Sequence, residues 1–143
     1  MEKGITTKIE QACFLEARQY QETAELFRCT PTENVLTILS DLSVDIWEEG
    51  KTFIDPECGI GQLIIPVAIT KQHLQHTDVL SSIFGIDINE DLVIICRERL
   101  LDVCGHTDRN IEYVRNNIVH ADSLTYKFTN NGEYSITGEC PSL

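Results

Sequence analysis

Thr52-Phe53-Ile54-Asp55-Pro56-Glu57-Cys58-Gly59-Ile60-Gly61-Gln62-Leu63 decides the fold. Phe53 and Ile54 read as the end of a buried strand, closed by the acid Asp55. Gly59 and Gly61 then frame a tight turn, and an apolar run resumes as a helix. In open α/β sheets, ligands bind at such strand ends, and glycine lets the backbone approach a ligand closely. The third glycine of a dinucleotide fingerprint is absent, and the acid at the turn disfavours a pyrophosphate. The turn suits a ligand with positive charge or with N–H and O–H donors.

Downstream, the pattern repeats. Ser82-Ile83-Phe84-Gly85-Ile86-Asp87 is a second buried strand ending in an acid. Asn89 caps the next helix, with Glu90 and Asp91 near its positive end, and Gly105 stops it. A turn-rich link from His106 to Asn110 follows. Asn117-Ile118-Val119-His120-Ala121-Asp122 is a third strand, again ending in an acid. Pro66 falls in the early turns of the helix after Gly61 and is expected to kink it. Tyr134 to Thr137 reads as a short further strand.

Upstream, Ile9 to Phe27 reads as one amphipathic helix, because Ile9, Cys13, Ala17, Tyr20, Ala24 and Phe27 recur every three or four residues. Thr30-Pro31-Thr32-Glu33 is a helix start. Thr30 is the expected N-cap, Pro31 the first helical residue and Glu33 the closing acid of a capping box. Val35, Ile38, Leu39, Leu42 and Ile46 mark its apolar face, up to Glu48-Glu49-Gly50. The order is two helices and then β-α-β-α-β, which predicts an α/β fold with a parallel sheet. Residues 1–50 form the N-terminal helical segment and 51–143 the α/β core, in one domain.

The 143 residues carry a net charge of −12, which works against unaided binding to a nucleic-acid backbone. The six cysteines (Cys13, Cys29, Cys58, Cys96, Cys104 and Cys140) form no C-x-x-C pair and no zinc-like spacing. With no signal core and no membrane-length apolar run, a cytoplasmic chain with reduced thiols is expected. His73 and His76 lie one helical turn apart and read as a polar helix face, so no metal is assigned. Cys58 has no His or Lys nearby in sequence and reads as a packed turn residue, not a nucleophile.

Asp55, Asp87 and Asp122 fall at strand ends of one sense, and so on one edge of a parallel sheet. Asp87 suits a ribose diol, Asp122 an adenine amine, and Asp55 an amino group or cationic centre. Together they suit an adenosine-bearing ligand with a charged tail and no phosphate, such as S-adenosylmethionine.

At this point the chain resembles the N-terminal, cofactor-binding half of the S-adenosylmethionine-dependent N6-adenine DNA methyltransferases. Asp55-Pro56-Glu57-Cys58-Gly59-Ile60-Gly61-Gln62-Leu63 is similar to their cofactor motif. Phe84-Gly85-Ile86-Asp87-Ile88-Asn89 resembles their ribose-binding motif, and His120-Ala121-Asp122-Ser123-Leu124 their adenine-binding motif. Thr30-Pro31 with the following helix is similar to the segment that closes over the methionine end. The likeness spans roughly residues 28 to 128.

The resemblance implies a truncated Rossmann-like sheet of the class I methyltransferase type, with two N-terminal helices. It implies that Thr30 and Pro31 border the methionine part and that Asp55, Glu57, Cys58, Gly59 and Gly61 form the cofactor turn. Asp87 would then bind the ribose with Ile88 against the adenine, and Asp122 the adenine amine with Ser123 and Leu124 beside it. Glu57 departs from the family's commoner alanine.

The family's catalytic motif, Asn or Asp followed by Pro-Pro-Tyr or Pro-Pro-Phe, is absent from this sequence, so no catalytic residue is assigned. Two readings follow: a split or truncated enzyme whose protein partner supplies that motif, the remaining sheet and any contact with DNA, or a non-catalytic module that engages a methyltransferase or restriction subunit. A different small-molecule methyltransferase, or a nucleotide-binding fold without methyl transfer, is a third.

Overall fold

The computed structural model describes residues 5–128. The expected strand from Tyr134 to Thr137 lies outside the described residues, as does Cys140. The described residues form an α/β unit with three parallel strands in the order β1-β2-β3: β1 (Phe53–Asp55), β2 (Ile83–Asp87) and β3 (Ile118–His120). Their register pairs Phe53 with Ile83 and Gly85 with Ile118. This order is compatible with half of a doubly wound sheet.

Six α-helices accompany the strands: α1 (Thr7–Arg18), α2 (Gln21–Leu26), α3 (Thr32–Ser40), α4 (Ile64–His73), α5 (Glu90–Cys104) and α6 (Asp108–Asn117). Side chains alternate between the two faces of each strand. Phe53, Ile83 and Ile118 join one core with residues of α1, α3, α4, α5 and α6. Ile86 and Val119 join a smaller cluster with Ala121 and Tyr126, where the rings of Phe84 and Phe128 lie 5.0 Å apart. Every residue of α4 from Ile64 to Lys71 is buried, as befits a helix with the sheet on one side and α1 and α5 on others.

Several expectations need correction. The single helix expected over Ile9 to Phe27 is two, because the chain turns at Gln19-Tyr20. Tyr20 leaves the helical repeat, with its ring 4.6 Å from the Arg99 guanidinium and its hydroxyl donating to Asp102 at 3.3 Å. Thr30 is not the cap of α3. Pro31 occupies that position and no side chain caps the helix, so the expected capping box is absent.

The apolar repeat running to Ile46 does not continue one helix. α3 stops at Ser40, a separate 3-10 turn covers Val44–Trp47, and Ile38 is exposed. Pro66 is the third residue of α4, where its missing N–H has no intrahelical acceptor to lose. Asn117 ends α6 instead of opening β3, and Asp122 lies two residues beyond the end of that strand. α6 was not expected. It is largely polar, and buries Val114 and Asn117, with the Asn117 amide donating to the Leu80 carbonyl at 2.9 Å.

Candidate functional site

A crevice of about 810 Å³ opens at the carboxyl ends of the strands, a size within the usual range for small-molecule sites. Asp55 and Asp87 are the last residues of β1 and β2, and parallel pairing puts them on one sheet edge. Asp122 reaches the same edge because the chain after β3 stays bound to β2, the Ala121 N–H donating to the Asp87 carbonyl at 3.0 Å. Of the twelve expected site residues, Thr30, Asp55, Glu57, Cys58, Gly59, Asp87, Ile88, Asp122, Ser123 and Leu124 line the crevice. Pro31 and Gly61 do not. Pro31 borders a neighbouring cavity, and Gly61 is buried beneath the turn.

The turn itself is built by backbone bonds. The Cys58 N–H donates to the Ile86 carbonyl at 2.9 Å, and the Gly61 N–H to the Cys58 carbonyl at 2.8 Å. Gly59 is left-handed, at φ +53, where a side chain is strained. Its N–H donates to Asp87 Oδ2 at 2.9 Å, while Asp87 Oδ1 accepts from the Asn89 N–H at 2.8 Å. The glycine amide that would face a pyrophosphate in a dinucleotide fold therefore already has a carboxylate partner.

Each of the three aspartates also has a local duty. Asp55 Oδ1 accepts from the Glu57 N–H at 2.9 Å, and Asp122 Oδ1 from the Leu124 N–H at 2.9 Å. With the Asp87–Asn89 bond, all three make the i to i+2 turn common for this residue. Turn formation does not exhaust them. An ionised carboxylate has about four lone-pair sites, and Oδ2 of Asp55 and of Asp122 accepts no further hydrogen bond among the described residues.

The electrostatics are one-sided. Asp55, Glu57, Asp87 and Asp122 line the crevice, against the single cation Arg28. Burial raises the Asp55 carboxyl above its ordinary pKa. The Glu57 N–H opposes this, and the negative charges of Glu57 and Asp87 add to it. The rim is apolar: Phe27, Ile38, Ile88 and Leu124 line the crevice and remain substantially exposed. Such walls and an acidic floor fit an amphipathic cation or a polyol better than an anion.

Cys58 is buried, and a hydrogen bond with Cys96, with burial second, raises its thiol pKa far above the ordinary value. It is a packing residue. Cys29 also lines the crevice, and burial raises its thiol pKa as well. Among the described residues no group of three or more His, Cys, Asp and Glu is placed to hold a metal, and no helix is long and apolar enough to cross a membrane.

Sequence reasoning missed Phe27, Arg28, Cys29, Ile38, Gln62 and Leu92, which also line the crevice. Gln62 lay within the quoted turn, and the other five adjoin residues that were singled out. Phe27 and Ile38 read only as apolar helix-face residues, and none of the six carries a pattern that points to a ligand. Comparison of the chain with models of known families, with curated proteins and with solved structures gave no match.

Proposed function

We propose that the crevice binds S-adenosylmethionine, and that the chain is the cofactor-binding part of a DNA adenine-N6 methyltransferase-like protein. The observation that carries this reading is the convergence of Asp55, Asp87 and Asp122 on one crevice beside the Gly59 turn. The remaining acceptor capacity of Asp87 suits a ribose diol. Asp122 Oδ2 suits an exocyclic amine. Asp55 and Glu57 suit the cationic end, and Ile88 and Leu124 offer apolar contact to a purine face. When bound, the cofactor supplies an electrophilic methyl group on sulfur. The residues of this chain bind and orient it, and the acidic floor favours its positive charge.

In this reading, transfer of the methyl group to an adenine amine would require a partner polypeptide that contributes the Asn/Asp-Pro-Pro-Tyr/Phe motif to hold the flipped base. The partner also supplies contact with DNA, since a chain of net charge −12 is poorly suited to it. The alternative, a non-catalytic module engaging a methyltransferase or restriction subunit, draws on that same charge and on β1. With β2 on one side only, β1 leaves its other edge unpaired among the described residues.

Calorimetric titration with S-adenosylmethionine tests the reading. Binding by wild type that Asp87→Ala loses supports it. No binding by wild type with native circular dichroism rejects it. Methyl transfer to DNA by the chain alone would reject the need for a partner.

A further inference from the structure

One wall of the crevice is the segment Phe27–Thr30. It leaves α2 through a Schellman turn: the Arg28 N–H donates to the Glu25 carbonyl at 3.1 Å, and the Cys29 N–H to the Ala24 carbonyl at 2.8 Å. Arg28 occupies the left-handed position of that turn, at φ +54, where glycine is favoured. The wall is therefore strained at its root.

One hydrogen bond ties it to the glycine turn: Gln62 Nε2 donates to the Thr30 carbonyl at 3.0 Å.

The direction of this tie is fixed from behind. Gln62 Oε1 accepts from Arg99 Nη1 at 2.9 Å, and the same nitrogen donates to the Ile60 carbonyl at 2.9 Å. Arginine has only donors. The Gln62 amide must turn its oxygen to Arg99, and its NH2 then faces Thr30. Arg99 is itself immobilised. It is 1% exposed, forks onto Glu16 of α1 at 2.6 and 2.8 Å, and stacks on Tyr20.

We propose that Gln62 is a latch holding the Phe27–Thr30 wall against the glycine turn, and that Arg99 is the positioning residue that sets the latch's polarity. The chain of contacts runs from α1 through Glu16 and Arg99 to Gln62 and Thr30. It makes the N-terminal helix part of the crevice's construction. The consequence for affinity rests on the S-adenosylmethionine reading; the latch itself does not.

Gln62→Glu separates the two. The carboxylate still accepts from Arg99 and has no N–H for Thr30. Thiol labelling of Cys29 with dithionitrobenzoate, in a background with Cys104 and Cys140 changed to serine, reads the wall without any ligand.

The expected result is a native urea midpoint with Cys29 labelling about fivefold faster, the equilibrium weight of one neutral hydrogen bond. Affinity for S-adenosylmethionine falls by a similar factor, although the new negative charge alone would raise it. If Gln62→Glu does not fold, Gln62→Leu, which also loses the Thr30 tie, carries the same expectation. An unchanged labelling rate in a folded variant overturns the latch, whether or not wild type binds the cofactor. Faster labelling with unchanged affinity in a chain that does bind overturns the latch's role in binding.

Discussion

Gly85→Ala is the sharpest packing test of the turn. Gly85 lies mid-strand in β2, so the cost of a methyl group there is steric. A Cβ built at Gly85 meets Ile64 Cδ1 at 2.7 Å, Cys58 Cβ at 2.9 Å and Cys58 Sγ at 3.1 Å. Cys58 cannot retreat easily, because its N–H is bonded to the Ile86 carbonyl. Ile64 is fully buried, so its Cδ1 can move only by displacing its core neighbours.

Overpacking a filled core costs about 1–3 kcal/mol, and three close contacts place this case near ~3 kcal/mol. For a chain of this length that lowers the melting temperature by roughly 10 °C. Urea unfolding with an unchanged slope measures it.

Ile64→Val deletes the nearest clashing atom. Alone it should cost about 1 kcal/mol, and in the double variant it should restore about 1 kcal/mol relative to additivity. A Gly85→Ala protein within about 0.5 kcal/mol of wild type, or strict additivity with Ile64→Val, would refute the packing argument.

Other consequences follow from the same contacts. Gly61→Ala should cost more than Gly85→Ala in the same urea assay. Its Cβ meets Ile65 Cγ1 at 2.9 Å and Cys96 Sγ at 3.1 Å, and its φ of +95° strains any side chain. Glu16→Gln leaves the Arg99 charge buried without its partner and should cost about 3 kcal/mol by denaturant melts.

Asp55 titrates above its unfolded value, so the folded state holds its proton more tightly. Its contribution to stability is fully present below the unfolded pKa and is lost as pH rises through the folded one. The stability of wild type relative to Asp55→Asn should therefore fall as pH rises through that window, as urea midpoints across it will show, and a pH-independent difference would refute the shift. Among thiols, burial pushes Cys13 up to about 12, and Cys58 is sealed under the turn. Both should resist alkylation in the folded protein at neutral pH, read by mass spectrometry, and react only after denaturation.

The sheet was legible because its strands are short apolar runs closed by acids and followed by turn residues. Asp55 with Gly59, and Asp87 with Asn89, state their local geometry in sequence. Asp122 was legible as a strand-end acid although it sits past the strand, because Ala121 continues the bonding to β2.

Gly61 was legible as a glycine the turn requires. Its reason is inward packing against Ile65 and Cys96, which spacing alone does not separate from ligand approach. α6 was hidden because its buried face has few apolar residues and an asparagine. Thr107, whose hydroxyl accepts from the Asn110 N–H at 3.1 Å, was the available signal. The break at Tyr20 and the Gln62 latch were not legible. Both depend on Arg99, whose partner Glu16 lies 83 residues away in sequence.

An amide NMR titration of the whole chain with S-adenosylmethionine tests the central claim most directly, because it reports place as well as affinity. Shifts should concentrate at Gly59, Ile88, Ser123 and Leu124. They should spare Gly50 and Asn110, which do not line the crevice, and NAD should leave the crevice amides unmoved because its pyrophosphate meets an acidic floor. Shifts that fall elsewhere, or no shifts in a well-dispersed spectrum, would contradict the assignment of this crevice to the cofactor.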